Sequence, residues 1–302
     1  MHKKKGKSCL IDSHIHLSYK SYEQTFPYIV WDKAGYFVAN GDRNKLIDEM
    51  KTVGITCCIE PAIDVDSNRL LLDLAAACPG FVYPAVGNHP TRCISSAMRD
   101  FGRVREFARD EKVIAIGETG LDYHHERKEQ HRFRQKIWFV WQIKLADELG
   151  LPLILHIRDA HDDAIRILRK NKAKLHGGVC HCFVGDASAA RIYTEELGLC
   201  LGLGGSILMR PEISAPIWEA IMQTPMEYLL LETDGPFVKP EKPEGITKKK
   251  WEKARNSSLI LPAVAEKIAE LKGMSVDDVM SITEENTKRM FNALRTLPLP
   301  TI

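Results

Sequence analysis

His14 and His16 lie in the stretch Ile11-Asp12-Ser13-His14-Ile15-His16, directly after Cys9-Leu10-Ile11, a short apolar run that reads as the close of a buried strand. Side chains alternate between the faces of a strand, so the two imidazoles point the same way and could supply half of a metal site. A lone His-x-His pair is a common accident at strand ends, and its meaning depends on partners elsewhere in the chain. Polar residues stand at or just beyond the ends of later apolar runs: His89, Glu118, His156, His181 and Asp234. Five of the eleven histidines fall at such places. The others, His2, His124, His125, His131, His161 and His176, fall in loops or on helices and read as solvated.

Taken singly, Glu118 or Asp234 could cap a following helix, and His156 or His181 could be a hydrogen-bonded core histidine. Taken together, His14, His16, Glu118, His156, His181 and Asp234 would carry a large desolvation cost if they converged without a cation. Imidazoles and carboxylates without a thiolate cage favour Zn²⁺, Mn²⁺ or a related divalent ion, with Mg²⁺ where waters complete the shell. Six ligands are too many for one closed tetrahedral zinc and suit two divalent metal ions sharing a carboxylate, about 3.5–4 Å apart.

Bringing these residues together requires a repeating scaffold. Apolar runs at 9–11, 55–59, 81–86, 113–116, 152–155, 178–180, 199–203 and 228–231 read as strands. Helical periodicity separates them at 43–53, 70–78, 97–109, 129–149, 160–169 and 187–197, and two helices, at about 257–272 and 275–291, finish the chain. In the 129–149 segment the expected apolar face is Phe133, Ile137, Val140, Trp141, Leu145 and Leu149. Strands that are continuously apolar are buried on both faces, and eight of them alternating with helices make an α/β fold of the (β/α)8 TIM-barrel class; a doubly wound open sheet is the alternative. In such a barrel the chemistry sits on the loops at the C-terminal ends of the strands, where the polar residues above occur.

The 302 residues suit one domain, 1–302, with no linker or low-complexity break. Two connections are unusually long. Residues 17–41 hold Tyr19, Tyr22, Phe26, Tyr28, Trp31, Tyr36 and Phe37, and read as a lid packed on the barrel rim or as a substrate-stacking platform. Residues 237–255 carry Lys239, Lys242, Lys248, Lys249, Lys250, Lys253 and Arg255, a solvated loop by default but one that would suit an anionic substrate.

A net charge of +2 gives no global electrostatic case for nucleic acid, so any basic surface must be local. The basic segment Met1 to Lys7 is followed by too short an apolar run for a signal peptide or anchor, and no run reaches membrane length. The eight cysteines lie mostly in apolar strand-like segments without a Cys-x-x-Cys pair, as expected of reduced core thiols in a cytoplasmic protein. In Cys180-His181-Cys182 alternation sends both thiols to the face opposite His181, where they would pack.

Six stretches in order carry a family resemblance. They are Ile11-Asp12-Ser13-His14-Ile15-His16-Leu17, Gly87-Asn88-His89-Pro90, Ile116-Gly117-Glu118-Thr119-Gly120-Leu121-Asp122-Tyr123, Leu155-His156-Ile157-Arg158-Asp159-Ala160, His181-Cys182-Phe183-Val184-Gly185 and Leu231-Glu232-Thr233-Asp234-Gly235-Pro236. Together with Gln142, Ala146, Pro152, Asn256 and Asn286 to Phe291, this set resembles the signature of the TatD family of metal-dependent deoxyribonucleases within the amidohydrolase-like barrels. The resemblance implies His14, His16, Glu118 and Asp234 around one ion and Glu118, His156 and His181 around the other. It also implies that His89 and Arg158 hold substrate phosphate, the planar guanidinium suiting an anionic group. The sequence departs from the family at Thr91, where His is usual, at Val184, where Ser or Thr is usual, at Gly235, and at Ser257-Ser258 in place of Glu-Pro.

The activity this implies is hydrolysis of a phosphodiester at a DNA end. Asp234 would orient a metal-activated water and accept its proton, and Glu118 would bridge the ions. Two other readings use the same residues: hydrolysis of a small ester, lactone or amide, and a metal-containing binding protein without catalysis. The expected partner is DNA or another phosphodiester, with no membrane, and the chain is expected to be a monomer or weak oligomer.

Overall fold

Each apolar run becomes one strand of a parallel sheet in the computed structural model, which describes residues 9–296. In chain order the strands are β1 (Leu10–Asp12), β2 (Phe26–Asp32), β3 (Gly35–Gly41), β4 (Ile55–Pro61), β5 (Val82–Val86), β6 (Ala115–Asp122), β7 (Leu153–Arg158), β8 (Gly178–Cys180), β9 (Cys200–Leu203) and β10 (Leu229–Leu231). Eight of them pair in the order β1-β4-β5-β6-β7-β8-β9-β10. The ring is drawn together where the Ser13 N–H donates to the Leu231 carbonyl at 3.0 Å and Ile15 bridges Gly235. The buried Asp12 carboxylate ties this seam: it accepts from the Thr233 hydroxyl and the Ser258 hydroxyl, each at 2.6 Å.

The helices are α1 (Arg43–Thr52), α2 (Ser67–Ala77), α3 (Asp100–Phe107), α4 (Glu129–Leu149), α5 (His161–Lys170), α6 (Ala187–Arg191, continued by a wider turn to Glu196), α7 (Pro211–Gln223), α8 (Lys248–Lys253), α9 (Leu261–Lys272) and α10 (Val276–Met290). Alternate strand residues serve two cores. Ile11, Ile59, Ala85, Ile154, Val179 and Leu230 join Phe291 and Leu294 in one apolar set, whereas Leu10, Cys58, Val86, Leu155, Cys180 and Leu231 pack with the helices. Together these make the expected (β/α)8 barrel. No helix among the described residues is long and apolar enough to cross a membrane, and no disulfide joins the cysteines there. His2 and the basic segment Met1 to Lys7 lie outside the described residues.

One local expectation is corrected. Helix α4 has the expected bounds but a different buried face: Gln135, Trp138, Phe139, Gln142, Ile143, Leu145 and Ala146 are buried, and Phe133 is 63% exposed. The reason is polar. The Gln142 side chain accepts from the Asn88 N–H at 2.8 Å and donates to the Asn88 carbonyl at 3.1 Å and the Thr119 hydroxyl at 2.7 Å. Gln135 clasps the backbone of Asp122 in the same way, so α4 holds two of the site-bearing loops by amides that hydrophobic periodicity reads as surface. Gln142→Leu should leave buried backbone groups of Asn88 unpaired, at about 1–3 kcal/mol each. A lower denaturation midpoint with unchanged slope checks this; an unchanged midpoint would mean that water takes the amide's place.

The aromatic insertion, read as a packed lid or a stacking platform, contains a hairpin of β2 and β3. Tyr22, Phe26 and Tyr28 are buried, and the Tyr28 hydroxyl donates to Glu49 at 2.6 Å. The 237–255 segment keeps its default reading as a solvated charged loop: Lys248, Lys249, Lys250, Lys253 and Arg255 are exposed, while Lys239 Nζ donates to the Trp251 carbonyl at 2.8 Å and Lys242 Nζ to the Ile246 carbonyl at 3.1 Å.

Candidate metal centre

The loop after β1 carries His14 and His16, whose Nε2 atoms stand 3.2 Å apart. Glu118 comes from within β6 rather than its end, since that strand runs on to Asp122 with a register shift between Ile116 and Thr119. Such an irregularity re-aims side chains. His156 belongs to β7, His181 follows β8, and Asp234 follows β10 on a turn that Asn256 clamps by donating to the carbonyls of Thr233 at 2.7 Å and Val238 at 3.1 Å.

These residues meet around Glu118. Its Oε1 lies 2.8 Å from His181 Nε2, 3.0 Å from His156 Nδ1 and 3.4 Å from His89 Nε2. Its Oε2 lies 3.6 Å from both His14 Nε2 and His16 Nε2, and Asp234 Oδ1 closes that side at 3.5 and 3.4 Å from the same two nitrogens. One carboxylate therefore faces two donor sets. His14 also stacks on His181, ring centres 3.8 Å apart and nearly parallel.

The donors fit a divalent cation. Ligands held about 2.1 Å from one ion in a tetrahedron stand roughly 3.4 Å apart, and the nitrogens of His14 and His16 lie 3.2–3.6 Å from each other and from the two carboxylates. Among the described residues three overlapping groups could hold an ion: His14, His16 and Glu118; His89, Glu118 and His156; and His14, His181 and Glu232. The charge state points the same way. Burial alone would raise the Glu118 carboxyl, but the positive charge of His181, with the close nitrogens of His14 and His156, holds it well below the usual carboxylate range. Burial would likewise depress His181, and the Glu118 carboxylate outweighs it and pushes the imidazole well up. His14, by contrast, is lowered by burial and by the neighbouring His181 charge. Protons on some imidazoles thus balance the buried acids, and a metal ion would replace them.

Contacts behind the cluster orient it. His16 Nδ1 is 3.2 Å from the Pro61 carbonyl, and His181 Nδ1 faces the buried Glu232 carboxylate at 3.6 Å. His156 Nε2 lies 3.0 Å from Asp122 Oδ2, and the same oxygen lies 2.8 Å from His125 Nδ1. Burial works to raise Asp122, but these hydrogen bonds hold it below the ordinary range.

The chain matches the family model described as TatD related DNase over residues 11–292. It belongs to that family. A relative from Bacillus subtilis, named an uncharacterized metal-dependent hydrolase YabD, is 39% identical over 70% of this chain and 78% of its own. A Yersinia pseudotuberculosis protein named 3'-5' ssDNA/RNA exonuclease TatD is 30% identical over 83% of this chain and 93% of its own. The crystal structure of the TatD homolog YJJV from Escherichia coli K12 superposes with a TM-score of 0.78 at 26% identity, covering 96% of this chain and 98% of that one. This TatD-family chain is a metal-dependent hydrolase.

Of the residues singled out from sequence, His14, His16, His89, Glu118, His156, His181 and Asp234 converge. Arg158 instead lies exposed on the wall of the adjoining cavity. Two expectations change. Cys180 packs in the core, but Cys182 takes a left-handed backbone (φ 44°) beyond the end of β8 and lines the cavity. Among the histidines read as solvated, His124, His125 and His176 are exposed, but His161 is half-buried and lies 3.0 Å from the Tyr193 hydroxyl. Asp122 and Glu232 were missed. The available signal for Asp122 was its even spacing from Glu118, which puts both on one face of a strand.

Asp122→Ala should weaken metal binding by about 10–100-fold, the usual effect of removing a ligand's orienting partner. Competition with a chromophoric chelator measures it, and unchanged affinity would make the Asp122–His156 contact purely structural.

Proposed function

We propose that this chain hydrolyses phosphodiesters at the 3′ end of single-stranded DNA or RNA, using two divalent ions drawn from Zn²⁺, Mn²⁺ or Mg²⁺. The observation that carries the reading is the divided carboxylate of Glu118, one oxygen toward His156 and His181 and the other toward His14 and His16. His14, His16, Glu118 and Asp234 would hold one ion, and Glu118, His156 and His181 the other. The single-strand polarity follows the Yersinia relative's name.

Divalent ions held there supply Lewis acidity, making a water nucleophilic near neutral pH and drawing charge from a phosphoryl oxygen. Asp234 offers Oδ1 to His14 and His16, which leaves its second oxygen to take the proton of the attacking water. His89 acts differently from its neighbours. The Thr91 N–H donates to its Nδ1 at 3.2 Å, which favours the proton on Nε2, 3.4 Å from Glu118 Oε1, where it can be shared with a phosphate bound beside that carboxylate. Burial keeps that ring neutral, its pKa lowered to about 4. Arg158, exposed on the cavity wall, supplies a fixed positive charge for the same group.

Protein stripped with a chelator and reloaded with each metal is to be assayed on single-stranded DNA, duplex DNA, RNA and small esters or lactones. The expected result is release of mononucleotides from single strands, lost on stripping and restored by metal. Turnover of the small esters alone would replace this reading with the small-ester alternative, and no turnover with metal bound would leave a binding protein.

A further inference from the structure

A cavity of about 790 Å³ opens beside the metal centre, within the range of about 300–1,000 Å³ typical of small-molecule sites. Its polar lining includes His156, His181, Asp234 and Arg158. Much of the remainder is apolar and comes from loops after three consecutive strands: Val184 after β8, Met209 after β9 with Ile213 on the first turn of α7, and Phe237 after β10. Val184, Ile213 and Phe237 are 45%, 46% and 40% exposed. Large apolar side chains left open around a polar centre mark a place where a ligand completes the packing.

Phe237 is the best-positioned of them. Its backbone N–H closes the turn onto the Asp234 carbonyl at 2.8 Å, so the ring is delivered three residues from the proposed base. It meets the His16 and Tyr19 rings edge to face, with centres 5.7 Å apart in each pair. Tyr19 is thus the residue of the long aromatic insertion that reaches this ring.

We propose that Val184, Met209, Ile213 and Phe237 form the subsite for the terminal nucleobase of the strand being cut, an inference that rests on the nuclease reading above. A phosphodiester at the metal centre must carry its nucleoside into the adjoining space, and that space is the cavity just described. Side chains of valine, methionine, isoleucine and phenylalanine offer a base face dispersion and stacking contacts but no strong hydrogen bonds to its edge. Recognition through these four side chains is therefore tolerant of sequence. A base seated here has also left its own stack and its partner, so unpaired ends are preferred over duplex ends.

The test compares an oligothymidylate with the same strand ending in a 3′ abasic tetrahydrofuran residue. The wild-type protein should cleave the intact strand with kcat/KM about tenfold above the abasic one, within the range that base stacking provides. In Phe237→Ala and Ile213→Ser that ratio should fall toward one, with the loss in KM for the intact strand. Equal cleavage of both strands by the wild type would overturn the inference and leave the nuclease reading intact. A ratio that survives both substitutions would overturn the assignment to this wall. Failure to cleave either strand would remove the nuclease reading and this inference with it. Metal content provides the folding control, and because Ile213 is exposed on α7, Ile213→Ser reports even if Phe237→Ala loses metal.

Discussion

Asp234→Asn is expected to keep the fold and bound metal while kcat falls by about 10²–10⁴-fold, the range in which a positioned general base contributes. The substitution nearly preserves volume, and an amide oxygen can still face His14 and His16 where Asp234 Oδ1 now lies 3.5 and 3.4 Å away. What the amide cannot do is accept a proton. In the wild type the contact with His16 and the charge of His181 overcome burial and hold the Asp234 carboxyl below its ordinary pKa, so it is ionised and ready to act as a base. The measurement is kcat at saturating metal beside elemental analysis of the same sample. Undiminished turnover would rule out the proposed role. A defect cured entirely by more metal would make Asp234 a ligand and nothing more.

The turn bearing Asp234 explains why this residue is held so firmly. Thr233 donates to Asp12 across the seam between β1 and β10, and Asn256 grips the carbonyls on either side of the turn. The same seam holds the loop of His14 and His16, because the Asp234 N–H donates to the His14 carbonyl at 2.9 Å. Barrel closure and assembly of one donor set are thus a single structural event.

Much of this was legible because parallel strands leave a strong signature. Continuous apolar runs such as 178–180 and 228–231 have few other uses, and a barrel sends their C-terminal ends to one rim, so His181 and Asp234 could be paired from more than fifty residues apart. Periodicity misled where a buried face is polar. Gln135 and Gln142 look like surface residues until their amides are seen against the backbone of Asp122 and Asn88. The role of Asp122 was harder to read than its position: spacing from Glu118 puts it on the same strand face, but its partner His156 lies 34 residues away, and nothing in the sequence shows which nitrogen of that ring faces outward. The Lys-rich loop kept its default reading. Lys248, Lys249, Lys250 and Lys253 are exposed, Lys239 and Lys242 donate to loop carbonyls, and the cavity receives Phe237 and Val238 from this segment.

Glu118→Ala should abolish hydrolysis and lower metal content by at least one ion per chain on the two-ion reading. Among the described residues no other carboxylate forms ion pairs with both histidine sets: Asp234 pairs with His14 and His16, Glu232 with His181 at 3.6 Å, and Asp122, within the cluster, with the outward nitrogen of His156 alone. Without Glu118, His156 and His181 lose the anion lying 3.0 and 2.8 Å away, and the imidazoles are left to hold a dication with no negative charge between them. Glu118→Gln separates shape from charge: it restores the volume and one oxygen but should bind metal little better than the alanine variant, because a neutral amide cannot bridge two cations as a carboxylate does. Elemental analysis after gel filtration, with titration calorimetry on stripped protein, gives stoichiometry and affinity independently of turnover. Two ions bound at wild-type affinity in either variant would show that Glu118 is not the bridge, and the divided carboxylate would then need another explanation.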